Sequence, residues 1–265
     1  MTSVALPHDL IYTGALILVN AHYPYRESNA AHTLVPINSD PNKVLLDCEA
    51  TEALGIIMKR LGSWEQIAAV SGWRSMCEQN EIYENSLRDN GREFTEKYVA
   101  LPGHSEHQTG LAIDLALKQE QIDFICPDFP YTGICQRFRQ NAASYGFIER
   151  YPRDKENITG ISHEPWHFRY IGTPHAEIVE KYGFVLEEYI SFLKKYPYGK
   201  SPYVYQGKAG YIEVSYLKAE AADTIFEISE NNAYSVSGNN IDGFIITERR
   251  TQNGGQKTTW LIRTE

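Results

Sequence analysis

Of the eight histidines in the chain, His104, His107, His163 and His167 fall in two short stretches, each with carboxylates beside it. Imidazole and carboxylate are ordinary ligands of zinc, and both move protons near neutral pH, so these stretches are where chemistry is to be sought. The first runs Gly103-His104-Ser105-Glu106-His107-Gln108-Thr109-Gly110-Leu111-Ala112-Ile113-Asp114. Read as a strand from Gly110 onward, it puts Asp114 on one face with Ala112 and Gly110 and turns Leu111, Ile113 and Leu115 to the core. A carboxylate among such small residues needs a partner, because an isolated buried charge is costly. A metal ligand and a partly exposed Asp held by backbone amides both meet that need. His104 reads as a surface loop residue.

The second stretch, Ser162-His163-Glu164-Pro165-Trp166-His167, spells H-E-x-x-H, the helical motif in which two imidazoles one turn apart hold a metal and the Glu acts as base. A helix is excluded here. Pro165 would cost about 3 kcal/mol in a helix interior and pushes Glu164 out of the α region. In extended chain four residues span about 13 Å, too far for His163 and His167 to share one ion. One of the two is therefore surplus, and His163 reads as a surface histidine or one that lies behind a ligand.

Short strands and helices must position these groups. Leu16 to Asn20 reads as a strand, Ala53 to Leu61 as an amphipathic helix and Gln66 to Ser71 as a short apolar strand. Ser75-Met76-Cys77-Glu78 has the form of a capping box, which predicts a helix from Ser75 to Asn90 with Gly91 as its stop. Cys135 to Tyr145 reads as a helix ended by Gly146, and Trp166 to Ile171 as a strand. Thr173-Pro174 starts a helix that Gly183 stops, and Leu186 to Tyr196 makes one more. Two prolines and a glycine within residues 196–202 mark a linker. After it, Tyr203 to Tyr205, Tyr211 to Leu217, Thr224 to Ile228, Phe244 to Thr247 and Thr258 to Ile262 read as strands, with turns at Asn240 to Gly243 and Asn253-Gly254-Gly255. The expected fold is α+β: an antiparallel sheet with helices over residues 1–196, then a small β-rich module over residues 203–265. That module has no His and no Cys, so it holds no zinc site of the usual kind.

The net charge of −9 and a pI near 5.4 argue against a nucleic-acid surface. The apolar run Ala15 to Val19 is too short for a span or a signal core and has no basic residue before it, so no membrane span and a cytoplasmic location are expected. Cys48, Cys77, Cys126 and Cys135 lack metal or scaffold spacing and read as reduced thiols, with a Cys126 to Cys135 bridge as the alternative.

Ser105-x-His107-x-x-Gly110-x-Ala112-x-Asp114, followed some fifty residues later by Glu164-x-x-His167, resembles the motif pair of the D-alanyl-D-alanine metallopeptidases, whose superfamily includes lysostaphin-type endopeptidases and the hedgehog fold. Ser71-Gly72-Trp73-Arg74-Ser75 resembles a further segment of those enzymes, and the likeness runs from about Leu16 to Tyr196. Within the family the chain is most similar to the cytoplasmic vancomycin-resistance enzymes with both D,D-dipeptidase and D,D-carboxypeptidase activity. The β module after Pro202 has no counterpart in the family's pattern.

The resemblance implies one zinc ion per chain on His107, Asp114 and His167, with a fourth position open for water. It makes Glu164 the base and Arg74 the stabiliser of the oxyanion, and gives Ser105 and Gln79 the substrate's backbone and terminal carboxylate. On residue type alone Glu164 is a surface Glu before a proline and Arg74 a solvated Arg at a helix start. Tyr83 and Trp166 are candidate walls of a small D-alanine pocket, or simple core aromatics. The implied substrates are D-Ala-D-Ala and peptidoglycan precursor pentapeptides, whose loss deprives vancomycin of its target. The rivals are an L-Ala-D-Glu endopeptidase acting on assembled wall and a catalytically silent zinc-stabilised binding module.

Overall fold

Ser75 starts a helix as its sequence predicts: its hydroxyl accepts from the Glu78 amide while the Glu78 carboxylate accepts from the Ser75 amide, a cap worth about 1 kcal/mol. The structure, a computed structural model, describes residues 1–27, 33–37, 44–207 and 210–249. In chain order its elements are β1 (Thr2–Leu6), β2 (Leu34–Pro36), β3 (Leu45–Asp47), α1 (Cys48–Leu61), β4 (Ile67–Ser71), α2 (Met76–Asn90), α3 (Arg92–Tyr98), β5 (Ala112–Leu117) and α4 (Gly133–Ala142). There follow β6 (Phe147–Tyr151), α5 (Glu156–Thr159), β7 (Glu164–Tyr170), α6 (His175–Tyr182), α7 (Leu186–Leu193), β8 (Tyr203–Gly207), β9 (Gly210–Lys218), β10 (Thr224–Ile228), β11 (Ala233–Gly238) and β12 (Gly243–Arg249). Helices and antiparallel sheet together make the α+β class expected.

The described residues cluster into two units, one over 19–26 and 31–187 and the other made mainly of 1–18 with 188–265. In the first, four antiparallel strands run in the order β4-β5-β7-β6. Ser71 pairs with Asp114 and Asp114 with His167, so three polar side chains line up across neighbouring strands. Leu111, Ile113 and Leu115 face the core with Phe129, Phe138 and Phe168, under α1 residues Leu54, Ile57 and Met58, each such side chain contributing about 1.5 to 3 kcal/mol of burial. The alternation read from the sequence is therefore correct, but the strand begins at Ala112, because Glu106–Thr109 winds as a 3-10 turn and Gly110 closes it at φ 72°. That left-handed backbone favours glycine, and a Cβ there would also press to 3.2 Å on the Asp47 amide nitrogen.

In the second unit β8 to β12 supply the strands predicted after the linker, with one more, β11, that its Ser-rich sequence concealed. One sheet runs β11-β12-β9-β8, and β1 pairs with β10 from Thr2↔Ile228 to Leu6↔Thr224, which joins the first residues of the chain to strands more than 200 residues later. The expected turn at Asn253 and strand at Thr258 to Ile262 lie outside the described residues.

Leu16 to Asn20 is irregular rather than a strand, although Leu16 to Val19 is buried; a short apolar run does not by itself distinguish strand from buried coil. The helix predicted to reach Tyr196 ends at Leu193. All four cysteines are free thiols, so the Cys126 to Cys135 bridge does not form. Among the described residues no helix is long and apolar enough to cross a membrane.

Candidate active site

His107 enters the site from the 3-10 turn, Asp114 from the middle of β5 and His167 from the middle of β7. All three are buried, and one donor atom from each lies within 4.8 Å of the others. Asp114 stands between the imidazoles: its Oδ2 is 3.1 Å from His107 Nε2 and its Oδ1 is 2.9 Å from His167 Nδ1. The two rings meet edge to face, 5.0 Å between centres and 82° between planes. The two carboxylate–imidazole separations suit donors each about 2 Å from one shared centre, and two imidazoles with one carboxylate are a donor set that fits zinc while leaving a position open.

One imidazole has its outer nitrogen fixed by a hydrogen bond, and the other turns its outer nitrogen toward a buried carboxylate, which in each case leaves the inner one for the site. His107 Nδ1 lies 2.7 Å from the carbonyl of Gly72, leaving Nε2 for the site. That carbonyl is delivered by a segment packed so closely on β3 that a Cβ at Gly72 would come within 2.3 Å of the Leu45 oxygen. His167 presents Nε2 to Glu106 Oε2 at 3.5 Å and Nδ1 to the site. Glu106 is itself anchored in the interior, with Oε1 2.8 Å from Arg150 Nε and 3.0 Å from Arg169 Nη1. Arg150 is completed by two bonds to Glu187, at 2.9 and 2.7 Å. A carboxylate behind a ligating histidine orients the ring and raises its basicity.

The charge states follow from these neighbours. Burial, and then the positive charge of Arg74, hold His107 down to about 4, so it is the neutral imidazole that faces the site. Burial opposes a charge on His167, yet its bonds to Asp114 and Glu106 outweigh that and push it up to about 9. Burial alone would raise Glu106, but Arg150 and Arg169 hold it well below the usual carboxylate range. Glu164 differs: burial pushes its carboxyl up to about 8, with Asp114 and Glu106 adding to the effect while His167 and Arg74 oppose it. Its Oε2 is 3.8 Å from His167 Nδ1.

All seven residues singled out from the sequence, Arg74, Gln79, Ser105, His107, Asp114, Glu164 and His167, line one cleft. Arg74 is not a solvated surface residue; its Nη2 is 2.9 Å from Asp114 Oδ2 and its Nε 2.7 Å from Ser71 Oγ. Gln79, fully buried, accepts from Arg74 at 3.5 Å and donates to the Ala100 carbonyl at 2.8 Å. Trp166 is a wall of the cleft, whereas Tyr83 is not, and Ile82 of the same helix takes that place. His163 turns away to bond the hydroxyl of Tyr131 at 2.7 Å, and His104 is half-buried, with Nδ1 2.7 Å from the Asn20 carbonyl. Glu106, Arg150, Arg169 and Tyr151 were missed. The signal available for Arg169 was its place in the apolar run Trp166-His167-Phe168-Arg169-Tyr170, where an inward arginine demands a buried anion.

A family described as D-alanyl-D-alanine carboxypeptidase matches residues 48–173. The chain is 42% identical over 179 residues to the bifunctional D-Ala-D-Ala dipeptidase and D-Ala-D-Ala carboxypeptidase VanXYC of Enterococcus gallinarum, covering 67% of this chain and 94% of that relative. The crystal structure of the vancomycin resistance D,D-dipeptidase VanXYg in complex with a D-Ala-D-Ala phosphinate analog superposes with a TM-score of 0.91 at 50% identity, over 94% of this chain and 99% of that one. That coverage extends well past residue 202, so the β module, expected to have no counterpart, has one there. A Zn(II) complex of the D,D-pentapeptidase VanY, in a mutant form, matches with a TM-score of 0.56 at 30% identity over 66% of this chain and 98% of that one.

Proposed function

We infer, because the chain belongs to the D-alanyl-D-alanine carboxypeptidase family, that it is a zinc peptidase which splits D-Ala-D-Ala and removes the terminal D-Ala from peptidoglycan precursor pentapeptides. The observation that carries this reading is the meeting of His107, Asp114 and His167 in a buried cleft with Glu164 beside them. Loss of the D-Ala-D-Ala terminus confers vancomycin resistance. The free thiols of all four cysteines support action in the cytoplasm, where the precursors are made.

His107 through Nε2, Asp114 through its carboxylate and His167 through Nδ1 would hold one zinc ion. When bound, zinc supplies a Lewis acid that polarises the scissile carbonyl and lowers the pKa of a water toward about 7. Glu164 takes the proton from the attacking water and gives it to the departing amine of the terminal D-Ala. Burial raises its carboxyl above the ordinary carboxylate range, which makes the carboxylate a stronger base. Arg74 offers a fixed positive charge to the oxygen that becomes negative as the amide carbon turns tetrahedral. Gln79 holds Arg74 and retains a second amide hydrogen, which with the Ser105 hydroxyl can grip the substrate's backbone and terminal carboxylate. Trp166 walls the small side-chain pocket.

The test is D-alanine release from D-Ala-D-Ala and from the precursor pentapeptide by protein stripped of metal and then given zinc. Zinc-dependent release from both substrates supports the dual peptidase. Release from neither, with solubilisation of assembled wall, would move the assignment to an endopeptidase, and inactivity on all three to a binding module.

A further inference from the structure

β7 carries a proline beside the residue assigned as base. Pro165 has no N–H to give to a ladder, and the pairing of β6 with β7 breaks there. Glu149 pairs with Phe168 and the next pair is Tyr151 with Glu164, so one residue of β6, Arg150, stands opposite three of β7, 165–167. The backbone that must keep Glu164 at a fixed distance from His167 therefore runs three residues without regular rungs to β6, and the first two of them, Pro165 and Trp166, have none to β5 either, whose pairing with β7 begins at His167.

Side chains grip it instead. Arg139 of α4 donates from Nη2 to the Pro165 carbonyl at 2.9 Å, and the same guanidinium reaches the carbonyls of Phe129 and Pro130 at 3.2 and 3.3 Å. Its Nε pairs with Glu149. The ring of Tyr131 lies against the guanidinium, its centre 3.8 Å from Cζ. The Tyr131 hydroxyl bonds both Glu149 Oε1 and His163 Nε2. A hydroxyl has one hydrogen, which goes to the carboxylate; Tyr131 then accepts from His163, whose Nε2 carries a proton. A single network thus holds the residue before Glu164 by its side chain and the residue after it by its carbonyl. None of Tyr131, Arg139, Glu149 and His163 lines the cleft, so any effect they have on turnover is indirect, and the cleft residue that they bracket on both sides is Glu164.

We propose that His163, Tyr131, Glu149 and Arg139 form a clamp of positioning residues for Glu164, replacing the backbone rungs that Pro165 forgoes. The clamp rests on the assignment of Glu164 as base. It gives the first histidine of the H-E-x-x-H segment a task with no metal in it.

The test is steady-state turnover of D-Ala-D-Ala by zinc-loaded His163→Ala, His163→Gln and Arg139→Lys, with Glu164→Ala alongside, and with zinc content and Tm measured for each. His163→Ala and Arg139→Lys are expected to lose about tenfold to a hundredfold in kcat, the cost of a misplaced base, with KM within about twofold and zinc as in the parent. His163→Gln, whose amide can donate to Tyr131, regains most of the loss. Turnover within about twofold of the parent in both His163→Ala and Arg139→Lys, or a loss matched by lost zinc or lower Tm, overturns the clamp. If Arg139→Lys does not fold, His163→Ala at the partly exposed rim decides alone. Full activity in Glu164→Ala would overturn the base assignment itself, a failure separate from that of the clamp.

Discussion

His167 is sealed between two carboxylates, with Asp114 2.9 Å from one nitrogen and Glu106 3.5 Å from the other, whereas His163, four residues earlier, shares its Nε2 with the Tyr131 hydroxyl. The residue type is the same, and a helix would have put both on one metal. In β7 the pairing register instead sets His167 opposite Asp114, and His163 lies ahead of the first rung. The role of an imidazole here is decided by what meets each of its nitrogens, which the strand determines and the motif's lettering does not.

The proposed contrast between a metal-holding end and a base-positioning end of one segment can be broken most severely at the residue between them. Glu164→Ala is expected to keep its zinc and lose about 10²- to 10⁴-fold in kcat, measured as D-alanine release beside metal analysis; parent-like activity would remove Glu164 from the chemistry. Next, Arg74→Gln is expected to cost about 10²- to 10³-fold in kcat/KM with zinc retained, the usual loss of one oxyanion donor. At the metal end, Glu106→Gln leaves His167 without its outer anion and is expected to weaken zinc affinity about 10- to 100-fold in a chelator competition, while Tyr131→Phe at the other end leaves that affinity unchanged. The mildest probe is pH. His167 is pushed up to about 9 and must lose its proton to ligate, so apparent zinc affinity should fall about tenfold per pH unit below that value. Affinity flat between pH 6 and about 8 would contradict the bond pattern assigned to His167.

Much of this was legible in the sequence because it is local. The capping box at Ser75, the alternation that turns Leu111, Ile113 and Leu115 inward, and the exclusion of a helix by Pro165 each depend on neighbours within a few residues. What escaped depends on distant partners. Arg150 and Arg169 are fully buried against the rule for arginine, and the anions that permit it, Glu106 for both and Glu187 for Arg150, come from segments distant in the chain. β1 has no local cue for its pairing with β10. Gln79 was chosen for a substrate role, yet its amide is also the prop of Arg74, a bond no spacing rule predicts.

The most direct single test is the zinc content of purified His163→Ala and His167→Ala, determined side by side on folded protein. Zinc near one ion per chain in His163→Ala and little in His167→Ala is the predicted result. The reverse order would contradict the strand-borne site and return the segment to a helical H-E-x-x-H arrangement.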